Sequence, residues 1–382
     1  MTRFQVRKKL RKAGSKAKSI AVGAFSIQMG NVPQSKSRLG IRKTSLKTLA
    51  VLGVGFGFVG SSLPASAALI ARDTFQDAAL SVDAFGSTSN NGSLQTNVPV
   101  GATILKAYLY ASSVWDLSPV NDVKLNGNLL KVADSNLLIP DANPATTRVW
   151  DVTNILGTLG GLQNHTIEEL GDNDGETLVV AYKDASTTGF SSFILDGELA
   201  TGGDTTRFNF AKPYSGGDFL TSLSSSYSFQ PSGQFTTVDV TTNSTTSRRL
   251  TSSAGGQDDG EGANGALITA GGIGDSPTNP DPFASDSGGP RTDDELYNLA
   301  LGNSADATPF IKAGDTFVEL NTKNPSNDDN VYGLFVTSKF KASTPSEPVP
   351  EPFTILGSLT AGGIGVALRR KRQQQQKEAA KV

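Results

Sequence analysis

The chain has 382 residues, with 41 glycines, no cysteine, one histidine and a formal net charge of −2. The missing thiols exclude disulfides, thiolate metal sites, cysteine nucleophiles and iron–sulfur chemistry, and the lone His165 excludes a multi-histidine metal centre. The small net charge hides a separation: the first 67 residues hold 13 basic and no acidic residues, while Ala68 to Ser343 hold 15 basic and 33 acidic ones, a balance that repels phosphate backbones and excludes nucleic acid as a partner.

Residues 1–67 form a basic leader and signal peptide. Basic clusters such as Arg7-Lys8-Lys9 precede the apolar run Thr48 to Gly60, then Ser61-Ser62-Leu63-Pro64 and the small-residue site Ala65-Ser66-Ala67. A basic region, a short apolar helix and an Ala-x-Ala site are the three parts of a secretory signal, so signal peptidase is expected to cut after Ala67, using Ala65 and Ala67. Met29 offers a second start that leaves a more ordinary leader.

Residues 68–343 are expected to fold as a mainly β ectodomain, an antiparallel β-sandwich of jelly-roll type with short helices. Turn-forming residues are dense and long apolar helical stripes are missing. Thr103 to Tyr110 alternates, with Leu105, Ala107 and Leu109 on one face. Val123 to Val132 holds Asn126-Gly127 between apolar runs, which predicts a hairpin. Further strands are expected over Glu176 to Lys183, Phe190 to Leu195, Phe208 to Phe210, Phe235 to Val240, Ala266 to Ala270, Thr316 to Leu320 and Val331 to Phe340. Short helices are predicted after Asp151 and near Asp293, the latter burying Leu296 and Leu299. No repeat of fixed period is visible, against a solenoid or propeller. Tyr108, Tyr110, Trp115 and Trp150 are assigned to the core, with sugar stacking as the other use of a tryptophan.

Within this region, Gly171-Asp172-Asn173-Asp174-Gly175-Glu176 is the candidate metal loop. Asp172, Asp174 and Glu176 supply the hard oxygen donors that calcium takes in sixes to eights, although the loop lacks an EF-hand frame. The plainer reading is a polar turn between strands. Gln257 to Glu261 offers similar ligands. Gly271 to Glu295 is long and carries Gly274-Asp275-Ser276, a serine-esterase-like triplet, but His165 is far upstream of the base position such chemistry needs. Asp275, Asp281 and Asp286 there suit a cation or Asx turns. His165, beside Glu168 and Glu169, reads as an exposed loop residue. No catalytic set and no required cofactor emerge.

Residues 344–350 are a Pro- and Ser-rich linker, and 373–382 a disordered tail. Between them lie Pro350-Glu351-Pro352, the apolar run 353–368 and Arg369-Arg370-Lys371-Arg372. Sixteen helical residues reach about 24 Å, short of a roughly 30 Å hydrocarbon core, and snorkelling arginines close the gap. The basic cluster should stay cytoplasmic. These three parts together, over 350–372, resemble the PEP-CTERM sorting signal. The resemblance implies recognition by exosortase, a membrane-embedded protease, and an association with exopolysaccharide or biofilm in Gram-negative bacteria. An ordinary single-pass anchor is the alternative. The expected function is that of a structural or adhesive cell-surface or matrix protein, with extracellular polysaccharide as a partner. The competing expectation is a secreted polysaccharide hydrolase or lyase using two carboxylates.

Overall fold

The computed structural model describes residues 69–86, 90–114, 119–138, 145–171, 173–199, 202–227, 236–254, 268–279, 282, 295–324 and 329–344. The signal peptide with Ala65 and Ala67, Met29, residues 345–350 of the linker, the sorting signal Pro350 to Arg372, the tail, Trp115, Asp172 and the 257–261 loop lie outside the described residues.

The first strands are β1 (Ile70–Gln76), β2 (Ala79–Gly86), β3 (Asn91–Val98), β4 (Thr103–Val114), β5 (Val123–Leu125), β6 (Asn128–Leu130), β7 (Asn136–Leu137), β8 (Ala145–Asp151), β9 (Gly161–Glu169) and β10 (Gly175–Lys183). They are followed by β11 (Ser191–Asp196), β12 (Asp204–Phe210), β13 (Phe219–Tyr227), β14 (Thr236–Thr242), β15 (Arg248–Ala254), β16 (Ile268–Ala270), β17 (Leu296–Asn298), β18 (Phe317–Lys323), β19 (Asp329–Ser338) and β20 (Ala342–Ser343). The described body is thus mainly β, its sheets are antiparallel, and the expected sandwich class holds.

Two sheets make up the first half, in the orders β2-β10-β4-β8-β7 and β3-β9-β5-β6. The second half has β1-β11-β19-β13-β16, with β17 also on β13, and β15-β14-β18-β12-β20. Adding one constant offset to every strand number turns β2-β10-β4-β8 into β11-β19-β13-β17, and β3-β9-β5-β6 into β12-β18-β14-β15. Eight strands of the first half thus recur in the same arrangement in the second, with β1, β7, β16 and β20 outside the correspondence, a repetition that no sequence period announces.

Three apolar cores fill the spaces between the four sheets. Leu109, Trp150, Ile167, Leu178 and Val180 fill the first sandwich, and Phe193, Phe208, Phe219, Val318 and Leu334 the second. A third core joins the halves: Val82, Tyr108, Tyr110 and Val179 from one inner sheet meet Ile194, Ile268, Tyr332 and Phe335 from the other. Tyr110 packs on Tyr332 and Phe335 with ring centroids 5.9 and 5.6 Å away. Polar groups cross the same seam in satisfied pairs. Tyr110 donates across it to Asp196 at 2.8 Å, Tyr108 donates across it to Asp73, and Thr177 meets Tyr332 across it at 2.6 Å, while Arg72 on β1 pairs with Asp196 on the neighbouring strand β11. Without such partners these buried groups would each cost free energy.

Local chemistry explains the turns. Asn126 (φ 51°) and Gly127 (φ 77°) sit between Leu125 and Asn128 in register, the positive-φ pair that a tight right-twisted hairpin needs. Neither predicted helix forms in the described residues. Asp151 ends β8 and its Oδ1 accepts from Thr153 N at 3.0 Å, which closes an Asx turn instead of a helical cap. Leu296 lies in strand β17, paired with Ser222, and Leu299 follows it into the core. The described helices are two 3-10 turns, Val132–Asp134 and Ala185–Thr187.

Candidate functional site

The calcium-like loop joins β9 to β10 at one end of the first sandwich. Strand pairing places Glu169 beside Val123 of β5, and Glu176 beside Phe85 of β2 and Ala111 of β4. Asparagines from distant segments clamp the chain between them. Asn90 Nδ2 donates to Gly171 O at 2.8 Å, Asn121 N donates to Asn173 Oδ1 at 2.7 Å, and Asp174 N donates to Ser112 O at 2.9 Å. Space is so short that a Cβ on Gly171 would lie 2.2 Å from Asn121 Cγ, and one on Gly175 (φ +133°) 2.2 Å from Phe85 O. This is a built loop, tighter than a simple polar turn demands.

Its acidic side chains are buried: Glu169 is 4% exposed, Asp174 1% and Glu176 0%. Burial pushes the Glu176 carboxyl well above the ordinary glutamate range, and the charge on Asp174 adds to this; Asn173 and Glu169 pull the other way. Glu176 Oε1 takes a long contact of 3.5 Å from Asn173 Nδ2, while its Oε2 has no hydrogen-bond partner. A fully buried carboxylate oxygen without a donor is costly unless it is protonated or meets a cation. Of the predicted ligands, the structure brings Asp174 and Glu176 to the same loop, with Asp172 outside the described residues. Among the described residues, no group of three or more His, Asp or Glu side chains is set to hold a metal ion. Asn90 and Asn121, which shape the site, carry no local signal: they arrive from two loops far from it in sequence, whereas Glu169 ends β9 two residues before Gly171.

The other candidates resolve differently. His165 is not an exposed loop residue: it lies on β9, 3% exposed, with Nε2 2.9 Å from Thr96 Oγ1 and Nδ1 2.9 Å from Asn126 Nδ2. An amide N–H facing Nδ1 makes that nitrogen the acceptor, so the neutral ring donates from Nε2, and burial holds its pKa down. Both nitrogens are engaged, which leaves no histidine base for Ser276. Ser276 instead meets Thr278 Oγ1 at 3.0 Å, and Asp275 accepts from Gly272 N in a tight turn. Asp281, Asp286 and Asp293 lie outside the described residues. Trp150 is a core residue, 3% exposed, donating from Nε1 to Lys131 O at 2.8 Å, so its indole offers no face to a sugar.

These features define a tandem antiparallel β-sandwich protein with one tightly built acidic loop. No family model matches the chain, and no curated protein matches it. Among solved structures, the major capsid protein P2 from bacteriophage PM2 is similar at 13% identity, over 71% of this chain and 99% of that chain, with a TM-score of 0.18. A likeness that slight carries no argument about fold or function.

Proposed function

We propose that the chain is an exported cell-surface or extracellular-matrix protein with a structural or adhesive role, delivered by a signal peptide and a PEP-CTERM-type sorting tail and associated with exopolysaccharide. The observation that carries this reading is Pro350-Glu351-Pro352 followed by an apolar run and Arg369-Arg370-Lys371-Arg372, joined to an acidic body. On this reading signal peptidase and exosortase are its processing partners, and the membrane holds it through residues 353–368. In its support, both nitrogens of His165 are occupied, and Glu169 and Glu176, the carboxyl neighbours of the acidic loop, are buried beyond the reach of a polymer. Each half is read as a jelly roll, supported by the strand orders β2-β10-β4-β8 with β3-β9-β5-β6 and their repetition.

Peptide mapping of the protein recovered from envelope and matrix fractions tests delivery. New termini at Ala68 and near Pro350 are expected; an unprocessed chain in the cytosol overturns the reading. A deletion strain with unchanged matrix and adhesion overturns the role.

The acidic loop takes calcium in this proposal. Glu176 supplies its unpartnered oxygen and Asp174 lies near enough for its charge to be felt there; Asp172, outside the described residues, is the third expected carboxylate. Millimolar calcium should raise the unfolding midpoint of the wild type and leave that of Glu176→Gln in place; equal midpoints with and without calcium in the wild type would end the idea.

A further inference from the structure

The two ends of the body expose different chemistry. Strand β9 begins at Gly161, paired with Val98, and finishes at Glu169, so the turn after β3 lies at the opposite end from the acidic loop. In that turn Ala102 N donates to Pro99 O at 3.0 Å and Gly101 takes φ 83°, leaving Val100 at the tip, 86% exposed. Leu162, the second residue of β9, is 59% exposed close by, and a Cβ on Gly160 would touch Val100 Cγ2 at 3.5 Å. Isolated exposed aliphatics are ordinary, but these two share one projecting tip.

Contacts carry the same end across to the second half. Thr103 pairs with Lys183, whose charge is felt at Asp77, and Asp77 pairs with Lys341 at 2.6 Å. Lys341 O accepts from Ala211 N at 3.0 Å, which sets the exposed Lys212 beside the partly buried rings of Tyr214 and Phe340. Charge is balanced here: Asp77 and Asp218 are met by Lys341 and Lys339, while Lys183 and Lys212 make no ion pair among the described residues. The acid excess of the chain lies elsewhere, so an anionic surface repels this end least.

The chain also leaves the body at this end, because Ala342 and Ser343 pair with Phe210 and Asn209, the last residues of β12. Eight residues, 345–352, separate Thr344 from the apolar run, a reach of at most about 29 Å. The acidic loop stands farther off by the length of β9, about 30 Å. We propose that the Val100 end of the body is a docking surface for a phospholipid bilayer, with Val100 and Leu162 entering the interface and Lys183 and Lys212 meeting lipid phosphates. Apolar side chains gain by leaving water there, and lysines gain from anionic headgroups. The inference rests on residues 353–368 holding the chain in the membrane, and it names what the tethered body then touches.

Because the chain has no cysteine, one introduced cysteine places one label. The full chain, carrying an environment-sensitive dye at Val100→Cys or Leu129→Cys, is reconstituted into phosphatidylethanolamine–phosphatidylglycerol vesicles. Leu129 is 48% exposed on β6, opposite Lys124 and on the acidic side, and serves as the comparison. Flotation reads anchoring, whereas dye emission and quenching by nitroxide-labelled lipid read contact. Blue-shifted, quenched emission is expected at Val100 and not at Leu129. The docked-to-undocked ratio should fall at least about tenfold when Lys183→Glu and Lys212→Glu are combined. Should Val100→Cys fail to fold by its unfolding midpoint, Leu162→Cys gives the same readout. A chain that floats with its Val100 label quenched no more than its Leu129 label overturns the docking surface and leaves the anchor standing. Contact unchanged in the folded double-lysine variant overturns it too. A chain that does not float sinks the anchor, and this surface with it.

Discussion

Asp83 shows how a single side chain ties stability to pH. Its carboxylate accepts from Gln95 N, so a side chain of edge strand β2 takes over a ladder bond from β3 and closes the first sandwich at its margin. Ser81 does the same for Asn97 N. Burial pushes the Asp83 pKa from 3.8 up to about 7, against the opposing pull of the Gln95 and Ala84 amides. Between these values the folded state binds the proton more tightly than the unfolded one, so this group's contribution is greatest in acid and is lost as pH rises to about 7. Asp83→Asn keeps an acceptor and removes the titration. It should be more stable than wild type at pH 8, by roughly 2–4 kcal/mol, with the difference shrinking toward pH 4; urea titrations at both pH values read this directly. At the seam, Tyr110→Phe removes the hydroxyl that donates to Asp196 and strands part of a buried carboxylate. A loss of about 2 kcal/mol is expected in the same assay, with the ring packing intact.

Among the strands, close approach of backbones is the recurring constraint. Gly86 at the end of β2 lies so near β16 that an added Cβ would sit 2.2 Å from Ile268 O. Gly86→Ala must push the two inner sheets apart, and a destabilisation of about 3 kcal/mol is expected by urea midpoint, with no change where Gly101→Ala is made apart from backbone strain at its turn. Such constraints also decide what was legible beforehand. Strands with apolar alternation, such as β4, and the Asn126-Gly127 hairpin could be read from residue order alone. Strands such as β13, Phe219–Tyr227, with the sequence FLTSLSSSY, could not. Inner sheets are covered on both faces, and small hydroxyl residues fill the narrow places, so Thr221 through Ser226 are buried without any hydrophobic period. The repetition stayed hidden because loops of unequal length separate corresponding strands: β2 to β10 occupy 79–183, and β11 to β19 occupy 191–338. The acidic loop was visible through Asp174 and Glu176, but its clamps, Asn90 and Asn121, belong to loops whose proximity only the folded topology creates.

Across the whole molecule, the third core makes the halves thermodynamic partners. Tyr110, Tyr332 and Phe335 are each at most 1% exposed and fill the core between the two inner sheets. Calorimetry should therefore record one unfolding transition for the described body, and Phe335→Ala, at a cost of about 3–5 kcal/mol, should broaden or divide it. Two well-separated wild-type transitions would show that the seam does not couple them.

The last described strand has a mechanical consequence. β20 is only two residues long and pairs with β12, whereas β19, just before it, lies between β11 and β13 in the middle of a sheet. Lys341, between them, is pinned to Asp77 at 2.6 Å. A tether pulling on the chain beyond Thr344 therefore peels β20 away bond by bond at low force, then loads the Lys341–Asp77 clasp, and only afterwards must shear β19 from both neighbours. Under such a pull the body would give a little slack before it yields, like a short length of spring ahead of a rigid frame.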